Sequence, residues 1–242
     1  FERIVADLDE PFADPSSFPL WYIARAASAH VKVVLGGDGG DELFAGYKRY
    51  DKHLRSAWRR GLRLPLPVVA SHAKSTKLLD ELRLDWLSAY ALRFSGMPPA
   101  LRRFLQPALA SVPAVYWDRM PTNTTEPLRA LLETDMHNYL PEYILRKGDL
   151  CTMAHGLELR VPLLDHRLYQ AVLAMPDDRR FTRPRKLALG AVCDVCRESK
   201  LFDAAKRGFN PPVAHWLRHE LRKRLDGLGA RLAQSTQNQL DG

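Results

Sequence analysis

Cysteine is scarce in this sequence, with three residues in 242. So few exclude a disulfide framework and fit a reducing compartment, so a cytoplasmic setting is expected. Cys193 and Cys196 form one C-x-x-C with no second pair, too little for a four-cysteine zinc site. No apolar run approaches the roughly 18 residues that a membrane-spanning helix needs, and no hydrophobic leader follows Phe1. The expectation is a soluble chain without membrane contact, cut from a longer one. Neither G-x-G-x-x-G nor G-x-x-x-x-G-K-[ST] occurs, which removes the dinucleotide-fingerprint and Walker readings. Internal repeats are absent as well.

Acidic residues are in the minority, 28 against 36 Lys and Arg, giving a net charge of +8. The excess is scattered over Arg59-Arg60, Arg102-Arg103, Arg179-Arg180, Arg183 to Lys186 and Arg218 to Arg224. Without aromatic interleaving or a nucleic-acid motif, this distribution describes solvated helix faces, and no nucleic-acid partner is expected. A hydrophobic content of 46% is enough for a core. The length suits one large domain with an appendage.

The most informative stretch runs from Val31 to Tyr47, V-K-V-V-L-G-G-D-G-G-D-E-L-F-A-G-Y. Val31, Val33 and Val34 are β-branched and a turn signal follows Leu35, which predicts a short buried strand over 31–35. Gly36, Gly37, Gly39 and Gly40 bracket Asp38, and Asp41-Glu42 open a helix. Leu43, Phe44, Tyr47, Tyr50, Leu54, Ala57 and Trp58 then keep a three-and-four spacing. A strand, a glycine loop and a helix start form the arrangement in which open α/β sheets hold ligands at a strand's carboxyl edge. Glycines admit close approach of a nucleotide, and free N–H groups at the helix start favour anions. Asp38, Asp41 and Glu42 would repel a bare triphosphate, a conflict that a bound Mg²⁺ removes by taking carboxylates and phosphate oxygens together. An acidic N-cap and first turn, complementing the helix dipole, is the alternative for the same three acids.

These residues resemble a known family. G-G-D-G-G-D-E-L-F-A-G-Y is similar to the S-G-x-G-x-D-E-x-F-x-G-Y signature in the ATP-dependent synthetase domain of asparagine synthetases. Asp9 to Leu20 (D-E-P-F-A-D-P-S-S-F-P-L) and Met153 to Leu168 (M-A-H-G-L-E-L-R-V-P-L-L-D-H-R-L) resemble further family blocks, in the right order. The likeness runs from about Leu8 to about Leu221. It implies an α/β fold giving way to mostly α: a partial parallel sheet of the adenine-nucleotide α-hydrolase (Rossmann-like) type, then a large helical C-terminal part.

Along the chain, Ser16 or Ser17 caps a helix reaching about Ala29, with Pro19 in its first turn. At least one further parallel strand should lie beside the first. The strands for a full sheet are not evident here and are expected upstream of Phe1. After Ala57 the text is helical and broken by prolines. Asp85 to Phe94 places Trp86, Leu87, Tyr90 and Phe94 on one face, and Leu101 to Leu105 makes another short helix. Pro127 opens a helix with the stripe Leu128, Leu131, Leu132, Met136 and Tyr139. A new helix is expected at Leu140-Pro141, carrying Lys147 and Asp149 among apolar neighbours, where a charge has a partner or a task. Glu158 and Arg160, two apart in an extended segment with Asp165 near, suggest an ion-pair cluster stitching two helices. Phe181 to Lys186 is basic and turn-like, and a helix follows over Leu187 to Arg197. The strand–loop–helix core thus occupies 16–58, the helical region 59–225, and a mobile tail 226–242.

The resemblance assigns roles. Gly36 and Gly37 approach ATP through backbone groups, and Asp38 lies near the reacting centre. Asp41, with Glu42, binds metal. Lys186, in the place of the lysine in the family's T-K-x-x-L-R, stabilises charge on the phosphoryl oxygens. Lys147-Gly148-Asp149 matches L-x-K-x-D, and Lys206 to Pro212 and Trp216-Leu217 match later motifs. Departures are Gly36 for serine, Leu150 for arginine, Gly156 for serine, and Arg185 and Gly190 around Lys186. The family's pyrophosphate loop, S-G-G-x-D-S, does not occur, nor does the amino-terminal cysteine of its glutaminase half. The implied parent is an amide-forming ligase that activates aspartate with ATP and Mg²⁺ and amidates it with glutamine-derived ammonia. Its glutaminase region is a partner in the same parent chain, a homodimer is possible within the family, and the 242 residues alone are expected to be inactive. Alternatives on the same scaffold are a β-lactam synthetase, a peptide cyclase or a surface-sugar amidotransferase; outside it, a non-catalytic helical interaction module.

Overall fold

A computed structural model describes residues 2–59 apart from 10, 11 and 13, residues 81–94 apart from 83, residues 124–191 apart from 183–185, and residues 194, 209–227, 231 and 234. The expected helix over 101–105, the cysteines at 193 and 196, the motif residues 206–208 and most of the tail lie outside that set. So does the far end of the helix expected over 187–197.

Two helices enter first, α1 (Glu2–Asp7) and α2 (Ser17–Ser28). Ile4, Leu8 and Trp21 are buried together with Cys151, giving the first core cluster. The expected serine cap is not how α2 begins. Ser16 makes no capping bond, and its N–H and hydroxyl instead donate to the Asp14 carboxylate at 2.9 and 2.8 Å. Asp14 orders the approach because one carboxylate can accept both donors.

Strand β1 (Val33–Leu35) follows α2, then α3 (Gly40–Leu43) and α4 (Lys48–Leu54). The predicted continuous helix after the glycine loop is interrupted. Ala45 takes a left-handed conformation, φ 54°, and the Gly46 N–H donates to the Asp41 carbonyl at 2.8 Å. That six-to-one closure ends α3 as a Schellman turn does, and α4 restarts on a new axis. Ala45 and Tyr50 therefore enter the second cluster with Trp86, Tyr90, Leu131 and Leu132, whereas Trp58, beyond the break, is 76% exposed.

Helix α5 (Trp86–Ala91) is capped by Asp85, which accepts from the Ser88 N–H at 3.0 Å, and it buries Trp86 and Tyr90 as the spacing predicts. Helix α6 (Pro127–Thr134) has Pro127 in its first turn. No new helix starts at Leu140-Pro141. A π-helical stretch, Asp135–Leu145, continues α6 directly into α7 (Arg146–Met153), with Pro141 inside it. A proline has no N–H to give, and the wider π turn accommodates its ring where an α turn would clash.

Strand β2 (Glu158–Arg160) lies parallel to β1, with Val33 opposite Glu158, Val34 opposite Leu159 and Leu35 opposite Arg160. The ladder extends at both ends, from the Glu158 N–H to the Lys32 carbonyl (2.9 Å) and from the Gly36 N–H to the Arg160 carbonyl (2.8 Å). The expected second parallel strand is thus inside this chain. The expected burial of β1 is not observed: Val33 is 38% and Leu35 72% exposed. Period-two alternation turns Val34 and Leu159 toward the helices and the other side chains to a face that no described residue covers. The same alternation corrects the reading of Glu158 and Arg160. They pair with each other at 2.8 Å on that open face, both exposed, and stitch no helices; Asp165 pairs with Arg167 instead.

The remaining elements are α8 (His166–Leu173), α9 (Asp177–Arg180), α10 (Leu187–Ala191), α11 (Val213–Arg218) and α12 (Arg222–Leu225). Val172 of α8 closes the third cluster on Leu43 and Phe44, with Ala188 and Leu189 packed against it. Among the described residues no helix is long and apolar enough to cross a membrane.

Candidate functional site

The glycine loop leaves the carboxyl end of β1 and leads into α3, as the sequence predicts. Gly39 caps the helix at φ 86°, and a side chain there would run into Leu164, so glycine is required on two counts. Gly37 has open space around it, with nothing within 4 Å of an added Cβ, whereas at Gly36 an added Cβ would meet Leu159 at 3.0 Å and Val161 at 3.5 Å. Leu159, Val161 and the Asp38 carboxylate, whose Oδ2 would be 3.2 Å from that Cβ, therefore crowd the room into which a serine at 36 would project.

Asp38 is half-buried in this loop. Burial raises its carboxyl above the usual range, Lys147 acts against that rise, and Asp41 adds to it. Asp41 forms an ion pair with Lys186 at 2.6 Å, although 145 positions separate the two. Lys186 sits at the head of α10 in a left-handed conformation, φ 66°, which a non-glycine residue adopts at a cost of about 1–2 kcal/mol. Gly46 touches both partners: a side chain there would overlap the Asp41 carboxylate and the Lys186 stem. Gly46→Ala is expected to displace the pair and to destabilise the fold by about 1–3 kcal/mol, the usual consequence of overpacking. Thermal melts check this, and a melting temperature equal to wild type would show that the turn relaxes freely.

Glu42 points elsewhere. It is 1% exposed, and its Oε1 accepts from the Tyr47 hydroxyl at 2.8 Å. Burial raises its carboxyl and the Tyr47 bond pulls it back. Tyr47 in turn carries the Arg49 guanidinium over its ring, 3.5 Å from the centroid. Arg49 pairs at 2.6 Å with Asp135 of the π stretch, whose Oδ2 also accepts from the Tyr50 and Tyr90 hydroxyls at 2.6 and 2.8 Å. The sequence reading assigned no role to Asp135 or Arg49.

Lys147 is partnered. Its ammonium donates to Asp14 at 2.8 Å and to the Ser16 hydroxyl at 2.9 Å. Asp149, two residues on, is exposed. Burial raises the Asp14 carboxyl, but the bonds from Lys147 and Ser16 outweigh it and hold the group below its ordinary 3.8. A depressed carboxylate stabilises the fold fully above its unfolded value and loses that contribution as pH falls through the folded one. Asp14→Asn should therefore cost about 2 kcal/mol near pH 6 and progressively less below about pH 4, as wild type loses the same bond. Melts of both proteins across that window test it; a gap that stays constant to about pH 2 would remove the ion pair from the account.

Between α2, the two strands and α7 lies a cavity of about 330 Å³ that opens on the loop. Ile23, Ala27, Val34 and Leu159 make its apolar wall, and Asp38 and Lys147 reach it from the loop and α7. Gly148 lets α7 close on β2, since a Cβ there would stand 2.7 Å from Leu159. Asp38, Asp41, Lys147 and Lys186 are thus gathered around the loop and cavity, whereas Glu42, Asp149, Glu158 and Arg160 are not. Among the described residues no group of three or more His, Cys, Asp or Glu could hold a metal ion. The two loop carboxylates, with Asp38 raised mainly by burial and further by Asp41, still suit a cation shared with a ligand's own oxygens.

Comparison with known proteins agrees with the loop. A family model described as asparagine synthase matches residues 1–242. A putative glutamine-hydrolyzing asparagine synthetase of Mycobacterium tuberculosis is 34% identical over 235 residues, covering 89% of this chain and 35% of its own length. Asparagine synthetase [glutamine-hydrolyzing] 1 of Bacillus subtilis is 29% identical over 237 residues, covering 90% of this chain and 37% of its own length. The putative asparagine synthetase 2 of Methanocaldococcus jannaschii is 40% identical over a shorter 91 residues, 38% of this chain and 18% of its own length. The chain spans about a third of the length of the first two relatives. No solved structure gives a significant match. With a glycine loop built as the signature requires and a family match over every residue, this chain belongs to the asparagine synthase family.

Proposed function

We propose that the chain is the substrate-activating part of an ATP-dependent, amide-bond-forming ligase whose parent makes asparagine from aspartate. The observation that carries this reading is the juxtaposition of Asp38, Asp41 and Lys186 around a glycine loop at the carboxyl end of a parallel strand. The aspartate side-chain carboxylate attacks the α-phosphorus of ATP and pyrophosphate leaves. Ammonia, released from glutamine by the remainder of the parent, attacks the acyl carbon and AMP leaves. Gly37, open to solvent, admits the nucleotide against the backbone. Asp38, raised by burial, accepts a proton at the reacting centre. Lys186 places its ammonium on the phosphoryl oxygens as negative charge builds there. Asp41 is the loop residue that would hold Mg²⁺, which when bound neutralises phosphate charge. Glu42 is left as a structural acid for Tyr47.

The test is aspartate-dependent pyrophosphate release by the full-length protein with ATP and Mg²⁺. AMP and pyrophosphate should appear in equal amounts and only when aspartate is present. Formation of ADP and phosphate, or release indifferent to aspartate, would refute the assignment. The 242 residues alone should release none, because no S-G-G-x-D-S segment occurs in them to hold pyrophosphate; turnover by that chain would overturn this second point.

A further inference from the structure

Residues of α6, the π stretch, α8 and α9 line a second cavity of about 310 Å³. Arg180 stands in its wall. The residue is 3% exposed, and its Nε donates to the carbonyl of Leu43, the last residue of α3, at 2.8 Å. Among the described residues no carboxylate lies within ion-pairing distance of it, and its two Nη groups meet no protein acceptor. The nearest acid, Asp177, is taken bidentately by Arg129, which also lines the cavity, with contacts of 2.6 and 3.0 Å to one carboxylate oxygen and 3.2 Å to the other. Glu133, the acid among the lining residues, accepts from the Thr124 hydroxyl. Tyr169 and the partly exposed Leu173 complete the mouth.

A buried guanidinium with no ion-pair partner among the described residues is a costly arrangement, and desolvation with the Arg129 charge pulls Arg180 below its ordinary value although Asp177 acts against them. Guanidinium nitrogens in a planar fork match the two oxygens of a carboxylate or phosphate. We propose that this cavity is a binding site for a small oxyanion, a carboxylate or phosphate group taken by the Nη pair of Arg180, with the Tyr169 hydroxyl as a further donor and Leu173 against any apolar body. The site is separate from the glycine loop and needs none of the ligase chemistry. Because Arg180 also grips the end of α3, occupancy is coupled to the helix that carries Asp41.

Inorganic phosphate and acetate, each against chloride at matched ionic strength, are the probes for thermal melts of the full-length protein. Ligand at about ten times its dissociation constant should raise the melting temperature of the transition that includes these residues by about 3–5 °C. Phosphate alone acting would assign the site to phosphate esters, and acetate alone to carboxylates; both support the inference. Arg180→Met should abolish the rise. Since that variant also loses the Leu43 contact, Leu173→Glu serves as the second: it sits on a partly exposed position, keeps the fold, and supplies its own carboxylate to the cavity, so the added anion should no longer stabilise. An anion effect of the same size in Leu173→Glu as in wild type, or no effect of either anion on wild type, would overturn the proposal.

Discussion

Replacing Asp135 by alanine is expected to destabilise the fold by about 3 kcal/mol or more, because it strands a buried cation. Asp135 is fully buried, and its Oδ2 alone collects the Arg49 guanidinium and two phenolic hydroxyls. Burial pushes its carboxyl upward, and Arg49, Tyr50 and Tyr90 act against that. Removing it leaves Arg49 surrounded by Tyr47, Phe94 and Tyr139 rings, whose faces hold a cation but cannot replace a carboxylate. The Arg49 side chain retains 21% exposure, which lets water reach part of the charge and places the estimate at the low end of the range for broken buried pairs. For a chain of this size the melting temperature should fall by about 6–12 °C. Asp135→Leu combined with Arg49→Met is the decisive comparison. If the penalty comes from an uncompensated charge, the double variant recovers much of the loss. If it comes from lost packing, the two penalties add, and a sum of single losses would reject the electrostatic account.

That network also marks where reading the sequence stops. The glycine loop, its position after a parallel strand and the start of a helix near Asp41, observed at Gly40, were legible because each is dictated by neighbours within a few residues. The helix starts at Asp85 and Pro127 were legible for the same reason. Arg49 and Asp135 stand 86 positions apart, and Lys186 and Asp41 stand 145 apart. No local pattern announces such pairs; only the resemblance pointed to Lys186. The break after α3 was hidden because Leu43, Phe44, Tyr47 and Tyr50 keep helical spacing on both sides of a left-handed alanine, a residue that ordinarily argues for continuity. The π stretch was hidden by the opposite error. Pro141 reads as a helix start, and nothing local says that the turn around it is wide. Glu42 and Asp41 are adjacent in sequence and read as one metal pair, yet on a helix consecutive side chains diverge by about 100°, so one faces the loop and the other the core.

In the full-length protein, Lys186→Ala is expected to lower the rate of aspartate-dependent pyrophosphate release by about two to three orders of magnitude, the range seen when a preorganised donor is removed. Negative charge accumulates on the phosphoryl oxygens between attack and departure of pyrophosphate. A cation held there therefore acts on the transition state more than on bound ATP, so kcat should fall with little change in the KM for ATP. The geometry gives reasons to expect preorganisation. The ammonium is fixed at 2.6 Å from Asp41, and the backbone is held at φ 66°. Its stem runs against Gly46, where not even a methyl group fits. The same confinement predicts that Lys186→Arg rescues little, since a planar fork is broader than an ammonium and delivers its charge elsewhere. Loss of the lysine also leaves Asp41 without its cation, so a purely structural explanation must be separated. Rates taken well below the melting temperature of the variant separate the two, because a folded Lys186→Ala protein should keep its loss of rate there. Exposed Arg179→Ala is the surface control and should change the rate by less than about twofold. If Lys186→Ala and Arg179→Ala are equally mild, Lys186 serves only to neutralise Asp41 and has no part in the chemistry.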